Sequence, residues 1–184
     1  MKLWLLRHAP VLLPPGLCYG ASDAPADAAL TLEAARAFAP LLPSGTPVWV
    51  SGLVRAQQMA GALQAERSDL GAARVDPRLN EMDFGDWEMR RWDAVPRNAF
   101  DEWMADFAHH RFGGVESVQM LLYRVAAALG DLRPVTHNDV VWVTHAGVIR
   151  AVQHIVASGG VHIREASEWP KDAPAPGGWL TLSF

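Results

Sequence analysis

Two short, largely apolar runs of this chain each end next to a histidine. The first run, Leu3–Leu6, leads into Arg7 and His8, and the second, Val140–Thr144, leads into His145. A neutral imidazole nitrogen can attack phosphorus, and a neighbouring guanidinium offers a planar fork of donors that matches phosphoryl oxygens. These residue types indicate phosphoryl transfer, although a lone Arg-His pair is more often a core histidine beside a surface arginine.

The elements that must position these side chains are strands. Short, continuous apolar runs bounded by polar or small residues are typical of strands buried on both faces of a parallel sheet. In open α/β sheets, ligands bind outside the carboxyl ends of the strands. We therefore expect Arg7, His8 and His145 to lie at one edge of a single sheet.

A further cation, Arg55, follows the apolar run Val48–Ser51 and falls in the first turn of a predicted helix. A cation at a helix N-terminus costs about 0.3–1 kcal/mol. That cost is explained if Arg55 and the helix terminus both face an anion. An arginine exposed to solvent is an equally good interpretation of this residue alone.

A carboxylate is also needed, because phosphoryl transfer requires a group that protonates the departing alkoxide and later activates water. Glu81 is the candidate, and Asp83 and Glu88 are local rivals for the same role. Taken by itself, this acidic segment is better explained as a solvated loop.

Helices are predicted to alternate with the strands. The first begins near Thr31, a suitable N-cap, and stops before Pro43. The second follows Ser51, Ser117 caps another, and one more follows His145. The apolar positions at helical spacing are Leu53, Ala56, Ala60 and Leu63 in the second helix, and Val118, Leu121, Leu122, Val125 and Leu129 in the helix after Ser117.

Between these elements, the region from Asp86 to His109 is expected to be helical in pieces, with Pro96 as a break. Short strands are expected at Arg74–Asp76 and, as an edge strand, at Trp179–Phe184. Strands that alternate with helices predict an α/β fold in the form of a three-layer α/β/α sandwich with a mostly parallel sheet.

The composition narrows the class of protein. A chain of 184 residues suits one domain, residues 1–184, and a net charge of −4 gives no reason to expect a nucleic-acid partner. The single cysteine excludes an internal disulfide framework and fits a reducing compartment. Arg7 and His8 interrupt the first apolar stretch, and no run reaches the roughly 20 residues of a membrane span. We expect a cytoplasmic protein without a membrane segment.

The candidate residues lie in four segments that resemble, in order, the motifs of the histidine phosphatase superfamily. The resemblance is to the branch that includes cofactor-dependent phosphoglycerate mutases and α-ribazole phosphatases. The matching segments are Leu6-Arg7-His8, Ser51–Gln57, Leu79–Glu81 with Phe84–Glu88, and Val143–Gly147. The resemblance implies a phosphoglycerate mutase-like fold.

The resemblance also implies a role for each residue. His8 would be the nucleophile that becomes phosphohistidine, and Arg7, Arg55 and His145 would bind the phosphoryl group. Glu81 would be the proton donor and then the base. No metal and no cofactor are implied, because these cationic side chains neutralise the phosphoryl group. Two further substrate contacts are predicted, from the loop backbone at Gly20 and from the Ala146 amide.

The chain departs from the family pattern at several positions. Ala9 and Pro10 stand where many members have glycine and an acidic residue, and the asparagine often found a few residues later is absent. Met89 stands where glycine is usual, and Val115 is an extra residue within the Gly113–Ser117 element. None of these changes removes a catalytic group, but they bear on the substrate pocket.

The most specific interpretation is a metal-independent phosphomonoesterase for a small phosphorylated substrate. The stretch Gly16–Asp23 is similar to α-ribazole-phosphatase-like members. A mutase is the runner-up. The resemblance implies a basic insertion in mutases, but the interval Glu88–Glu116 contains only four arginines as full cations. The sequence also ends directly after a predicted strand, without a tail that could cover the site. A non-catalytic module that binds phosphorylated ligands is a third hypothesis, and a homodimer is left open.

Two other groups of residues were considered for ligand binding. His109 and His110 are adjacent, but a metal site would need further ligands at defined spacing, which the sequence does not offer. Trp87, Trp92 and Trp103 are mostly expected in packing, with a pocket for an aromatic ligand as the alternative. Cys18 lies near the predicted pocket without a neighbour that would activate its thiol.

Overall fold

The computed structural model describes residues 2–132 and 139–183. Within these residues, the strands form one sheet in the order β3-β2-β4-β1-β5. The strands are β1 (Lys2–Arg7), β2 (Val48–Val50), β3 (Arg74–Val75), β4 (Val140–Thr144) and β5 (Trp179–Ser183). Strands β1 to β4 pair only in parallel with one another, and β5 pairs antiparallel with β1 at the edge. The mostly parallel sheet is as predicted; Phe184, the last residue of the predicted edge strand, lies outside the described residues.

Helices cover both faces of this sheet. They are α1 (Ala28–Phe38), α2 (Val54–Glu66), α3 (Arg97–Ala105), α4 (Val118–Leu132) and α5 (Ala146–Ser158). One core lies between the sheet and α1 and α2, and it contains the buried strand residues Leu6, Val48, Val50, Val141 and Val143. The other core lies between the sheet and α4 and α5, and it contains Leu3, Leu5, Trp49, Val140 and Trp142. This confirms the three-layer sandwich.

The start of α1 differs from the prediction, which placed the N-cap at Thr31. The helix begins at Ala28, and the N-cap is Asp27, whose carboxylate accepts the Leu30 N–H at 2.9 Å. Thr31 lies inside the helix and donates its hydroxyl to the Asp27 carbonyl. Both side chains can cap, but a charged carboxylate at the positive helix terminus is favoured over a hydroxyl.

The other predicted elements agree closely with the structure. α3 begins directly after Pro96, and short 3₁₀ turns at Gly85–Trp87 and Trp92–Ala94 precede it. Ser117 accepts the Met120 N–H at the start of α4, as expected of its N-cap. None of the helices in the described parts of the chain is long and apolar enough to cross a bilayer.

Candidate active site

The register of β1 on β4 brings the two motif histidines together. Arg7 lies opposite Thr144, so His8 and His145 are the next residues on adjacent parallel strands and leave the sheet at the same edge. The centroids of their rings are 5.1 Å apart. Ser51 follows β2 at this edge, on the other side of β4. The three strands therefore place two motifs 137 residues apart (145 minus 8) in one site.

The His8 ring is held in one tautomer by its own backbone. Its Nδ1 lies 2.7 Å from the Ala9 carbonyl oxygen. A carbonyl can only accept, so Nδ1 carries the hydrogen and Nε2 of the neutral ring carries a lone pair. Burial lowers the pKa of His8 to about 3, and the charges of Arg55 and Arg7 add to this effect. The ring is therefore a neutral base with a free Nε2 at physiological pH.

The direction of the hydrogen bonds around His145 follows from the Asn80 side chain. The Gly52 N–H can only donate, so the atom facing it at 2.7 Å is Oδ1 of Asn80. Ser51 Oγ, 2.9 Å from the same Oδ1, donates its single hydrogen there. It must then accept from Nε2 of His145, which lies 2.7 Å away. The proton of a neutral His145 is thus on Nε2.

The other ring nitrogen of His145, Nδ1, has no hydrogen-bond partner among the described residues. Burial lowers the pKa of His145 well below its usual range, and the positive charges of Arg55, Arg124 and Arg7 act in the same direction. An anion bound among these cations would reverse this effect, and the imidazolium would then present an Nδ1–H.

Arg55 is completely buried at the start of α2. Its two terminal nitrogens donate to the carbonyl oxygens of Ser22 at 2.7 Å and Gly20 at 2.6 Å. Its Nε has no partner among the described residues. The first amide of the helix, that of Val54, donates to the Asp23 carboxylate. The loop Gly20–Asp23 therefore fixes the guanidinium from one side and caps the helix that carries it.

The Glu88 carboxylate binds the Gly20–Asp23 loop. Its carboxylate accepts the amides of Gly20, Ala21 and Ser22, the Ser22 hydroxyl and the Phe84 amide. Burial raises the pKa of this carboxyl, but the hydrogen bonds outweigh burial and lower it overall. A carboxylate so fully engaged is poorly suited to donate a proton. The rival acid Glu88 is therefore better explained as the group that positions the carbonyls that hold Arg55.

Arg7 is the last residue of β1 and directly precedes His8. One of its terminal nitrogens donates to the Pro174 carbonyl at 2.8 Å, and its Nε has no partner among the described residues. Both guanidinium groups of the site therefore keep donors for a further acceptor. Burial lowers the pKa of Arg7 and of Arg55, and the negative charge of Glu81 opposes this in both.

The side chain of Glu81 contacts the first turn of α5, next to the second histidine motif. Its Oε2 accepts the Gly147 N–H at 3.0 Å and its Oε1 accepts the Met82 N–H at 3.0 Å. A Cβ atom at position 147 would collide with this carboxylate, so glycine is required there for the close approach. The other rival, Asp83, accepts the Gly85 N–H in a local turn.

Arg124 of α4 holds the segment that carries Glu81. It donates to the carbonyls of Arg78 and Asn80 at 2.8 and 2.6 Å and to that of Glu81 at 3.2 Å. It also forms an ion pair with Glu116 at 2.7 Å. The sequence analysis did not identify Arg124 or the Ser51–Asn80 pair. The signal for Arg124 was its place as the one cation within α4.

The two predicted substrate contacts, at Gly20 and Ala146, occupy different positions. The Gly20 N–H is bonded to Glu88, and a Cβ atom there would collide with the Met82 carbonyl. The close approach predicted for this glycine is thus made to the protein's own backbone. Ala146 is the first residue of α5, so its N–H is among those without an acceptor inside the helix. A role for either residue in substrate binding stays a prediction.

Cys18 and the His109–His110 pair lie outside the site. Burial raises the pKa of the Cys18 thiol to about 12, with Glu88 adding to the effect, so this side chain is not an activated nucleophile. In the described part of the chain, His109 and His110 do not join further ligands, and no group of three or more His, Cys, Asp or Glu side chains could hold a metal ion.

Comparison with known proteins assigns the chain to a family. The sequence model of the histidine phosphatase superfamily (branch 1) matches residues 3–172. The chain belongs to this superfamily. An adenosylcobalamin/α-ribazole phosphatase of Escherichia coli K-12 is 33% identical over 156 residues, which cover 81% of this chain and 75% of the relative.

Solved structures of histidine phosphatases have the same architecture. A proposed α-ribazole-5′-P phosphatase from Escherichia coli K-12 has a TM-score of 0.75 at 28% identity and covers 98% of this chain and 89% of its own. A mycobacterial glucosyl-3-phosphoglycerate phosphatase has a TM-score of 0.82 at 23% identity, covering 99% of this chain and 89% of its own, which shows the shared fold. The phosphoglycerate mutase-like fold and the phosphatase type of enzyme are thus confirmed.

Proposed function

We propose that this histidine phosphatase is a metal-independent phosphomonoesterase that acts on a small phosphorylated metabolite through a phosphohistidine at His8. The observation that carries the proposal is the free Nε2 of a neutral His8, beside two arginines whose Nε groups are unpaired within the described residues. A neutral nucleophile next to unused cationic donors fits attack on a phosphate dianion.

In the first step, Nε2 of His8 forms a bond to phosphorus as the ester P–O bond breaks. Glu81, entering as the carboxylic acid, transfers its proton to the leaving oxygen and releases the alcohol. Arg7, Arg55 and His145 stabilise the charge on the transferring group. In the second step, the Glu81 carboxylate removes a proton from water, and the resulting oxygen attacks phosphorus. Inorganic phosphate leaves, and both side chains return to their starting states.

α-Ribazole 5′-phosphate is the candidate substrate, because a relative that is 33% identical is named for that reaction. The third hypothesis, a module that only binds phosphorylated ligands, does not explain why Gly147 and Arg124 hold Glu81 against the segment that follows His145. Binding alone needs no proton donor.

The proposal favours hydrolysis over mutase activity. A mutase must keep water away from phosphohistidine and bind the rest of its substrate with additional cations. Of the four arginines between Glu88 and Glu116, Arg91 and Arg97 pair with Asp93 and Asp101. These two charges are already engaged. With 3-phosphoglycerate and catalytic 2,3-bisphosphoglycerate, we expect little 2-phosphoglycerate; rapid isomerisation would overturn the assignment as a phosphatase.

The mechanism is tested at its nucleophile. His8→Ala should abolish turnover, and Arg55→Ala should reduce kcat by about 10²–10³-fold through lost charge stabilisation. Rapid quenching with labelled substrate should place the label on His8.

Activity should survive exhaustive chelation. Full activity of His8→Ala would disprove the mechanism, and activity restored only by a divalent ion would disprove metal independence.

A further inference from the structure

A largely apolar cavity of about 160 Å³ adjoins Glu81 on the α4–α5 side of the sheet. Aromatic side chains form much of its wall: Phe84, Trp103, Phe107 and Trp169. Its polar lining residues are Glu81 and Arg150. The mechanism described above makes no use of this space.

The cavity shares Glu81 with the proposed active site. Gly147 lines it and donates to Glu81, and Arg150 is one turn further along α5. Burial is the main cause of the lowered pKa of Arg7; Glu81 and Tyr19 oppose it, and the charge of Arg150 adds a smaller lowering. Since Glu81 protonates the leaving oxygen, the organic part of the substrate must begin beside this carboxylate.

The aromatic wall is built by ring-to-ring packing. Trp103 stacks on Phe107 with centroids 5.7 Å apart, and Trp169 packs edge-on against Phe107 at 6.3 Å. Trp103 also stacks on Phe112 at 4.4 Å, which fixes it from behind. This packing fixes the orientation of the rings that line the cavity. Of the tryptophans considered for an aromatic pocket, Trp103 thus lines one.

The other two of these tryptophans serve packing instead. Trp87 and Trp92 lie against Phe112, with centroid distances of 5.8 and 6.2 Å. A second cavity that touches Glu81 has a different character, because its lining includes the ion pair of Glu116 and Arg124. These charges satisfy each other, so the aromatic cavity is the better receptor for the leaving group.

The volume sets the size of the ligand. An apolar cavity of about 150 Å³ accommodates a benzene-sized molecule. The space beside Glu81 therefore accepts about one aromatic ring and is too small for a peptide or a nucleic-acid segment. Trp103 Nε1 and Arg150 Nε have no partner among the described residues. Donors of this kind, at residues that line the cavity, suit an aromatic group that carries an acceptor atom.

We propose that this cavity is the leaving-group subsite and selects phosphomonoesters whose alcohol carries an aromatic ring close to the ester oxygen. The inference rests on the proposed phosphatase function and adds the class of substrate to it. Trp103 and Trp169 determine this specificity by contact with the ring, and the phosphoryl group remains at His8.

The test compares 2-phenylethyl phosphate with ethyl phosphate, which have similar leaving oxygens and differ by one ring. Burial of a phenyl group predicts a kcat/KM higher by about tenfold or more for the aromatic ester. Trp169→Leu should reduce this ratio to near one. Trp4→Leu, at a tryptophan that packs on Phe38 on the opposite face of the sheet, is the matched control and should keep the ratio.

A binding measurement makes the test independent of turnover and of folding of the variants. 2-Phenylethylphosphonate should inhibit the unmodified enzyme at least about tenfold more tightly than ethylphosphonate. Equal kcat/KM values with equal inhibition would overturn the subsite and leave the phosphatase function intact. Hydrolysis of neither ester, together with tighter binding of the aromatic phosphonate, would support the subsite and contradict the proposed function.

Discussion

Ser51 Oγ lies 2.7 Å from Nε2 of His145 and accepts its hydrogen, because the Ser51 hydroxyl itself donates to Asn80. Nδ1 of His145 consequently has no hydrogen in the neutral ring. It can donate to a phosphoryl oxygen only after the ring gains a proton. The arrangement links the binding of an anion to the protonation of this histidine.

We predict that sulfate, a dianion that does not titrate near neutral pH, binds with uptake of about one proton at His145. Bound sulfate offsets the charges of Arg55 and Arg7 that help to lower the pKa of this histidine. Calorimetry in buffers of different ionisation enthalpy measures the uptake. It should persist in His8→Asn and vanish in His145→Asn. The reverse pattern would assign the proton to His8 and contradict the prediction.

Glu81→Gln should separate substrates by their leaving groups. We expect kcat for an alkyl phosphate to fall by about 10²–10⁴-fold, whereas p-nitrophenyl phosphate loses far less because its leaving group needs no proton. The amide oxygen of the glutamine can still accept the Gly147 N–H, whereas the Met82 N–H loses its acceptor.

Asp83→Asn is the matched control for Glu81→Gln. Asp83 accepts the Gly85 N–H, which an asparagine oxygen can also do. The variant should slow both substrates equally or not at all. If Asp83→Asn, and not Glu81→Gln, acted selectively on alkyl phosphates, Asp83 would be the proton donor.

The protonation state of His8 gives a prediction for pH. Burial, with Arg55 and Arg7, lowers the pKa of His8 to about 3, and only the neutral ring can attack phosphorus. Nucleophile function should therefore be lost only as the pH falls through about 3, not near the usual histidine pKa of about 6.5. Ring ¹⁵N spectra of the ligand-free protein, assigned with His8→Gln, should show a neutral His8 at about pH 5.

Arg7→Ala tests whether the charge of Arg7 helps to lower the pKa of His8. Removal of one guanidinium that lowers the pKa of His8 should move its titration to higher pH. A protonated His8 at about pH 5 in the unmodified protein would show that the ring is not the neutral nucleophile inferred from the geometry.

Met89 offers a prediction about stability. It stands where the family usually has glycine, and its φ of 61° lies in the left-handed region. A side chain in this conformation costs about 1–2 kcal/mol. Substitution by glycine removes this strain, but glycine has more conformational freedom in the unfolded state, which offsets part of the stabilisation. Met89→Gly should therefore raise the free energy of unfolding by about 0.5–1 kcal/mol in urea denaturation.

The control for Met89→Gly is the same substitution at Met104. Both side chains are 48% exposed, but Met104 lies within α3. Met104→Gly should lower the free energy of unfolding by about 0.5 kcal/mol, because glycine is a poor helix former. Destabilisation by both substitutions to a similar extent would contradict the assignment of strain to Met89.

Much of the fold could be predicted from local pattern. The apolar runs ending before His8 and His145 are buried strands, and the apolar positions of α2 and α4 are buried as expected. Local pattern was weaker where two residues could do the same work. Asp27 and Thr31 both suit an N-cap, and their competition depends on where the preceding loop delivers the chain.

The sequence by itself determined which residue types are present for the proposed phosphoryl transfer: His8, Arg7, Arg55, Glu81 and His145, each next to the end of a predicted element. These residues could be identified from the sequence because each lies in a short motif of neighbouring positions.

Only the tertiary structure decided the state of these groups. Residues far apart in the chain set it: Ser51 and Asn80 fix the tautomer of His145, Glu88 engages the loop that holds Arg55, and Arg124 holds the segment of Glu81. Hydrogen-bond direction and burial depend on three-dimensional neighbours rather than on spacing along the chain. For the same reason, the cavity beside Glu81 could not be located from the sequence, since its wall joins Trp103 to Trp169 through packing alone.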